Sequence, residues 1–233
     1  MGLPGVPAIE VRNACSGFLY ALSIADKFLK TGTCKNALVV GAEIQSTSLD
    51  VSSRGRAMSV IFGDGAGAVV LAACNEPGKG ILATHLHADG RFAEKLWCEL
   101  PSAVEHPRIM AELPEREGIY PHMDGPFVFK HAIVRFPEVI QEALDSAGCS
   151  VEDLDLVIPH QANLRITEAV AKRMGIPAEK MYSNIQRYGN TTAASIPIAM
   201  SEAHREGLIE ENSLICMAAF GAGFTWASAL VRW

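Results

Sequence analysis

The chain has 233 residues, a formal net charge of −6, 49% hydrophobic residues and 20% charged residues. This composition can fill a sizeable core and leaves little room for long disordered tails. The acidic balance, with a pI of about 5.6, argues against nucleic acid as the default partner, because phosphate binding needs a basic surface.

In chain order, "PAIEV" (7–11) reads as a short strand. From Ser16, the residues Phe18, Leu22, Ala25 and Leu29 recur at helical spacing, with Asp26, Lys27 and Lys30 off that stripe and Gly32 as the stop. "NALVVGAE" (36–43) is nearly all apolar, as strands covered on both faces tend to be. A polar loop, "STSLDVSSRGR", leads to "SVIFGDGAGAVVLAAC", two apolar runs broken by glycines, and then to the strand "GILATHLHAD" (80–89). Residues 90–125 carry prolines and charges without periodicity and predict an irregular surface excursion, a lid or a partner contact. Phe129, Ala132, Ile133, Phe136, Ile140, Ala143 and Ala147 share one face of a following helix. "DLDLVIPHQAN" is strand then loop, "LRITEAVAKRMG" a helix, and "KMYSNI" a strand. "TTAASIPIAMSEAHREG" is a helix that Pro197 either kinks or opens, and two final strands flank "FGAGF". Alternating strands and helices predict an α/β protein with a mixed sheet.

Four places carry chemistry. Cys15 stands where an extended run meets a helix. Helix-end N–H groups and the dipole there favour thiolate, the nucleophilic form. A buried packing cysteine is the plain alternative. His160 follows an apolar strand, where α/β folds place ligand sites, although a satisfied turn histidine fits as well. Asn190 follows Gly189 just before a helix and, taken alone, reads first as a cap or turn asparagine. The turn in "AFGAGF" could direct backbone N–H groups at an oxyanion, or simply join a hairpin. "GDGAG" is followed by a strand rather than a helix, which excludes a dinucleotide loop. His85 and His87 share a strand face but lack the further ligands a metal needs. The six cysteines (15, 34, 74, 98, 149 and 216) form no CxxC pair, so reduced thiols fit better than zinc or disulfides. No apolar run spans a membrane and no leader pattern opens the chain, so a soluble, cytoplasmic protein is expected.

Together, "NACSGFLYALSIAD", "IFGDGAGAVVL", "HLHADG", "PHQANLRI", "YGNTTAASIP" and "FGAGFTWASALVRW" resemble, in order, the β-ketoacyl-acyl-carrier-protein synthase III family of the thiolase-like superfamily. The resemblance implies a layered αβαβα fold with its N-terminal half incomplete, since family members carry roughly another third of chain before the nucleophile. It divides the chain into 1–125, a partial N-terminal half, and 126–233, the C-terminal half. It also implies a Cys15–His160–Asn190 triad, with the backbone N–H groups of Cys15 and Ala222 as the oxyanion site. Phe220, Asn163 and either Arg54 or Arg56 become substrate or CoA contacts, and Arg165, Lys172 and Arg173 candidates for docking an acidic carrier protein.

The implied reaction is acyl transfer from acyl-CoA to Cys15, then decarboxylative condensation with malonyl-acyl-carrier protein. No permanently bound cofactor or metal is implied. The implied partners are acyl-carrier protein, acyl-CoA and either a second copy or a separate N-terminal half chain, with neither nucleic acid nor membrane. A related starter-unit polyketide synthase, or an incompetent truncated chain acting as a pairing subunit, are the alternatives.

Overall fold

The computed structural model describes residue 2 and residues 4–233. A short 3-10 turn, Ala14–Ser16, runs straight into α1 (Gly17–Lys30). The stripe of Phe18, Leu22 and Ala25 is buried, as its spacing predicts, and Gly32 with φ 74° turns the chain out of the helix. Asp26 departs from the expectation: it is buried, and it is tied to Lys27 (2.8 Å) and Lys30 (2.9 Å). Residues 7–11 form no strand, because no described segment pairs with their backbone.

β1 (Asn36–Glu43) lies antiparallel to β2 (Gly65–Ala72), with the short helix α2 (Arg56–Ser59) between them. "SVIF" therefore closes a helical turn rather than making a strand. β3 (Gly80–Ala88) belongs to a different sheet. The segment after it holds three short 3-10 turns (Gly90–Lys95, Leu113–Glu115 and Glu117–Ile119) and the two-residue pair β4 (Leu96–Trp97) and β5 (His122–Met123), and is otherwise irregular.

α3 (Gly125–Ala147) runs through Pro137 without a break. Proline offers no N–H to the carbonyl of Ile133 one turn earlier. The Arg173 guanidinium donates to that carbonyl instead, at 3.1 Å. β6 (Leu156–Pro159), α4 (Leu164–Met174), α5 (Ile185–Tyr188), α6 (Ser195–Arg205), β7 (Leu214–Gly221) and β8 (Thr225–Arg232) complete the chain. Pro197 falls in the first turn of α6, where its missing N–H is harmless. "KMYSNI" shrinks to one bridge, Val157 to Met181, because the chain turns away to form α5.

The main sheet has the order β3-β8-β7-β6, with β6 parallel to β7 and the other pairs antiparallel. β3, from the first half of the chain, thus supplies an edge strand to the sheet of the second half. α3 and α4 cover one face of this sheet, with Phe136, Ile140, Leu144 and Val170 buried against Val157, Cys216 and Leu230. α1 and α6 cover the other face and are themselves covered by the β1–β2 ribbon, around Phe18, Leu19, Ile196, Ala199 and Met217. Each such buried Phe, Leu, Ile, Val or Met side chain contributes about 1.5–3 kcal/mol.

The order of layers is helices, sheet, helices, ribbon. The outer face of the ribbon is bare, with Leu38 48%, Val40 51% and Val70 73% exposed. β1 is therefore covered on one face only, not on both, because its expected second cover is not among the described residues.

Candidate active site

The 3-10 turn delivers Cys15 to the head of α1. Ala14 takes φ 44°, a left-handed conformation that alanine rarely adopts. The hairpin turn between β7 and β8 packs directly on the thiol. A Cβ at Gly221 would collide with Cβ of Cys15 and stand 2.7 Å from its Sγ. The two turns are laced together: the Ser16 and Thr225 hydroxyls meet at 2.6 Å, and Thr225 donates to the Ala222 carbonyl at 2.9 Å. Burial dominates the pKa of Sγ and raises it, the Glu43 carboxylate raises it further, and the nearby backbone N–H groups of Ala222 and Cys15 offset only part of this. The net effect pushes the thiol up to about 12, so the resting state is a thiol and the thiolate bias expected from the helix end is overruled.

The thiol has a stability consequence. Burial also raises buried Cys216 to about 12, against 9.0 for an unfolded thiol. Both stay protonated in the fold over a range where the unfolded chain has lost them. Their contribution is complete below pH 9 and is lost as pH rises toward 12. Unfolding free energy should therefore fall in that window by roughly 1 kcal/mol per pH unit for each thiol. Urea unfolding across this range should show it, and Cys216→Ala should flatten the slope; an unchanged slope would contradict the assignment.

His160 directly follows β6, held by its N–H donating to the Ala218 carbonyl at 2.7 Å. It is buried, and burial lowers its pKa to about 4, so the ring is neutral at pH 7. Nδ1 lies 2.6 Å from Ser195 Oγ, whereas Nε2 is buried with no hydrogen-bond partner among the described residues. The neighbouring Gln161 is a strut: it donates to the Pro159 and Tyr182 carbonyls and accepts from Ser183 Oγ and the Asn184 N–H. Asn184 continues to buried Glu202 (2.7 Å), which also holds Arg187 (2.8 Å) and Tyr188 (2.5 Å). This network fixes the loop that carries Asn190.

Asn190 is seated by the glycine-rich stretch that resembled a nucleotide loop. Its N–H donates to Ile61 O at 2.9 Å, and its carbonyl accepts from the Gly63 N–H at 3.0 Å. A Cβ at Gly63 would strike the Tyr188 carbonyl, one at Gly67 would come within 2.8 Å of the Ile198 nitrogen, and one at Gly41 within 2.5 Å of the Ala193 carbonyl. Oδ1 of Asn190 accepts from the Thr192 N–H at 2.9 Å, which leaves Nδ2 as its donor end.

Cys15, His160, Asn190, Phe220, Gly221 and Ala222 line one cavity of about 590 Å³. Asn163 and Arg165 line it too; Asn163 caps α4 by accepting from the Arg165 N–H. Trp97, Cys98, Pro121 and Met123 also contribute, so the irregular excursion is a cavity wall. Its apolar residues, Leu96, Trp97 and Met123 among them, were the sequence signal of that role, with no periodicity to order them.

Arg54 and Arg56 are not among the lining residues. Arg54 is held by Asp50 (2.7 Å) and Glu117 (3.3 Å), with its guanidinium 5.5 Å from the centre of the Tyr120 ring. Arg56 opens α2, two residues before the lining residue Met58. Arg173 is engaged by α3, as described, whereas Arg165 and Lys172 are exposed and in no ion pair among the described residues. His85 and His87 both contact Glu142, at 3.2 and 2.6 Å, and His87 stacks on Trp226. Among the described residues no group of three or more His, Cys, Asp or Glu is arranged to hold a metal ion, and no helix is long and apolar enough to cross a membrane.

A cysteine at a helix head that shares one cavity with a histidine and an asparagine beneath a hairpin turn is the arrangement of the thiolase-like class. The comparisons narrow this further. The model "3-Oxoacyl-[acyl-carrier-protein (ACP)] synthase III" matches residues 9–90, and the model of that enzyme's C-terminal part matches residues 144–233. A β-ketoacyl-[acyl-carrier-protein] synthase III of Salmonella arizonae is 47% identical over 232 residues, covering 100% of this chain and 69% of the relative. The crystal structure of 3-oxoacyl-[acyl-carrier-protein] synthase III from Aquifex aeolicus superposes with TM-score 0.88 at 44% identity, over 99% of this chain and 68% of that one. The priming β-ketosynthase of the R1128 polyketide pathway superposes with TM-score 0.81 at 34% identity, over 94% and 64%. The chain belongs to the β-ketoacyl-acyl-carrier-protein synthase III family, and it spans about 69% of the length of its curated relatives.

Proposed function

We propose that this chain carries the catalytic groups of a condensing enzyme of fatty-acid biosynthesis, with Cys15, His160 and Asn190 as its triad. The observation that carries the reading is their convergence on one cavity beneath the Gly221–Ala222 turn. In the first step Cys15 attacks the thioester carbonyl of acyl-CoA. The new C–S bond forms, the CoA thiol leaves, and the proton of the Cys15 thiol ends on it. The backbone N–H groups of Cys15 and Ala222 hold the oxyanion. In the second step the carboxylate of malonyl-acyl-carrier protein leaves as carbon dioxide. The resulting enolate oxygen is stabilised by donors at Nε2 of His160 and Nδ2 of Asn190. Its carbon attacks the Cys15 thioester, and the released thiolate regains a proton. Neutral His160 suits a donor rather than a charge partner. Arg165 and Lys172, on the helix that opens beside the cavity, form the basic patch offered to an acidic carrier protein.

A second reading rests on the bare ribbon face at Leu38, Val40 and Val70. There the 233-residue chain is a pairing subunit that needs a covering layer, from a second copy or a separate N-terminal chain, before it turns over. Incubation with acetyl-CoA followed by intact-mass measurement tests both. One acetyl group on wild type and none on Cys15→Ala supports the enzyme. Labelling that appears only when the chain is extended to the relatives' full length supports the pairing subunit, and an acetyl group retained on Cys15→Ala sinks the nucleophile.

A further inference from the structure

We infer that Ser195 is a positioning residue: it holds His160 in the tautomer with the proton on Nε2, so that the ring meets its substrate as a hydrogen-bond donor. The inference rests on the reading of His160 as the donor in decarboxylation, but its test does not. Ser195 is the first residue of α6, is buried, and its Oγ lies 2.6 Å from Nδ1 of His160. The second partner of Oγ among the described residues is the Gln161 N–H, which donates to it at 3.3 Å.

A hydroxyl has one proton and two lone pairs. With one lone pair receiving Gln161, the proton has a single acceptor within reach among the described residues, Nδ1. The reverse arrangement, Nδ1–H donating to Oγ, would put two donors on the oxygen and leave the hydroxyl proton buried without an acceptor. Stranding a buried donor disfavours that state by about tenfold or more. The doubly protonated ring is excluded by burial, which keeps the imidazole neutral. Nδ1 is therefore the acceptor, and the proton sits on Nε2, the one ring atom that is buried without a partner among the described residues. The hydroxyl thus decides which way the ring can act, as a group behind a reacting imidazole does in other sites.

The test is a nitrogen-15 spectrum of the chain with labelled histidine at neutral pH, in which the His160 signals are those absent from His160→Gln. The expected wild-type pattern has a pyridine-type Nδ1 and a pyrrole-type Nε2, and Ser195→Ala should turn it into a mixture of tautomers. Ser195→Cys, similar in size but a weak donor, gives the same reading if the alanine variant does not fold. A pyrrole-type Nδ1 in wild type overturns the inference, as does a pattern that neither variant changes. In a preparation that condenses, Ser195→Ala should slow decarboxylation about ten- to a hundredfold. It should leave acylation of Cys15 within about twofold, since that step uses backbone donors, and Ser195→Thr should recover the rate. An absence of condensing activity alongside the expected spectrum would remove the role of His160 in decarboxylation and leave the tautomer assignment standing.

Discussion

Gly221→Ala is expected to silence Cys15. The added methyl would collide with the cysteine's own Cβ and stand 2.7 Å from its sulfur. Neither neighbour can step aside. Cys15 is clamped by a turn in which Ala14 already holds φ 44°, and by the hydroxyl pair of Ser16 and Thr225. The strand on the other side, β7, is buried along its whole length. Overpacking of this kind costs about 1–3 kcal/mol. A displacement of about an ångström at a reacting atom lowers rate about a hundredfold. Thermal unfolding measures the first effect. Acetyl transfer from acetyl-CoA, or alkylation of Cys15 by a small haloacetamide, measures the second. A variant that reacts at the wild-type rate would mean that the turn does not abut the thiol.

His160→Ala and Asn190→Ala are each expected to slow carbon dioxide release from malonyl-carrier protein by about a hundredfold to a thousandfold, the loss typical of one donor at a developing oxyanion. Acylation of Cys15 should survive both changes. The double variant should lose less than the product of the two, because both donors serve one oxygen. Carbon dioxide release and acyl labelling, followed separately, distinguish these steps. If either variant loses labelling as severely as decarboxylation, that residue supports the nucleophile and not the enolate.

The helices and strands with clear periodicity were legible in the sequence. The stripe of α1 and the apolar run of β7 have to be buried somewhere, and they are. "KMYSNI" was not legible, because Tyr182–Asn184 have the composition of a strand but their backbone is held by the side chain of Gln161, a contact at a distance of over twenty residues. "PAIEV" and the two-sided burial of β1 misled for one reason. Apolar composition reports the cover a strand is built for, while burial reports the neighbours that are described. That Cys15, His160 and Asn190 share one cavity was legible through the company each residue keeps, not through its own surroundings. The protonation of Cys15 was not legible, because local rules see the helix end, while the turn at Gly221 that packs on the buried thiol comes from the far end of the chain. Ser195 gave no signal at all; it is a serine at the start of a helix until the fold puts a histidine behind it.

The seam between residues 61–67 and 188–198 has a bearing on how such a protein can vary. Asn190 is registered by main chain against main chain, across glycines that tolerate no side chain. Side-chain contacts drift in pairs over evolutionary time, each substitution relieved by another. A backbone seam has no such freedom. Shuffling the two stretches between divergent homologues should therefore succeed or fail on glycine placement and loop length, almost regardless of overall similarity. A library of such chimaeras would show a sharp boundary between folding and non-folding members where an ordinary interface would give a gradient.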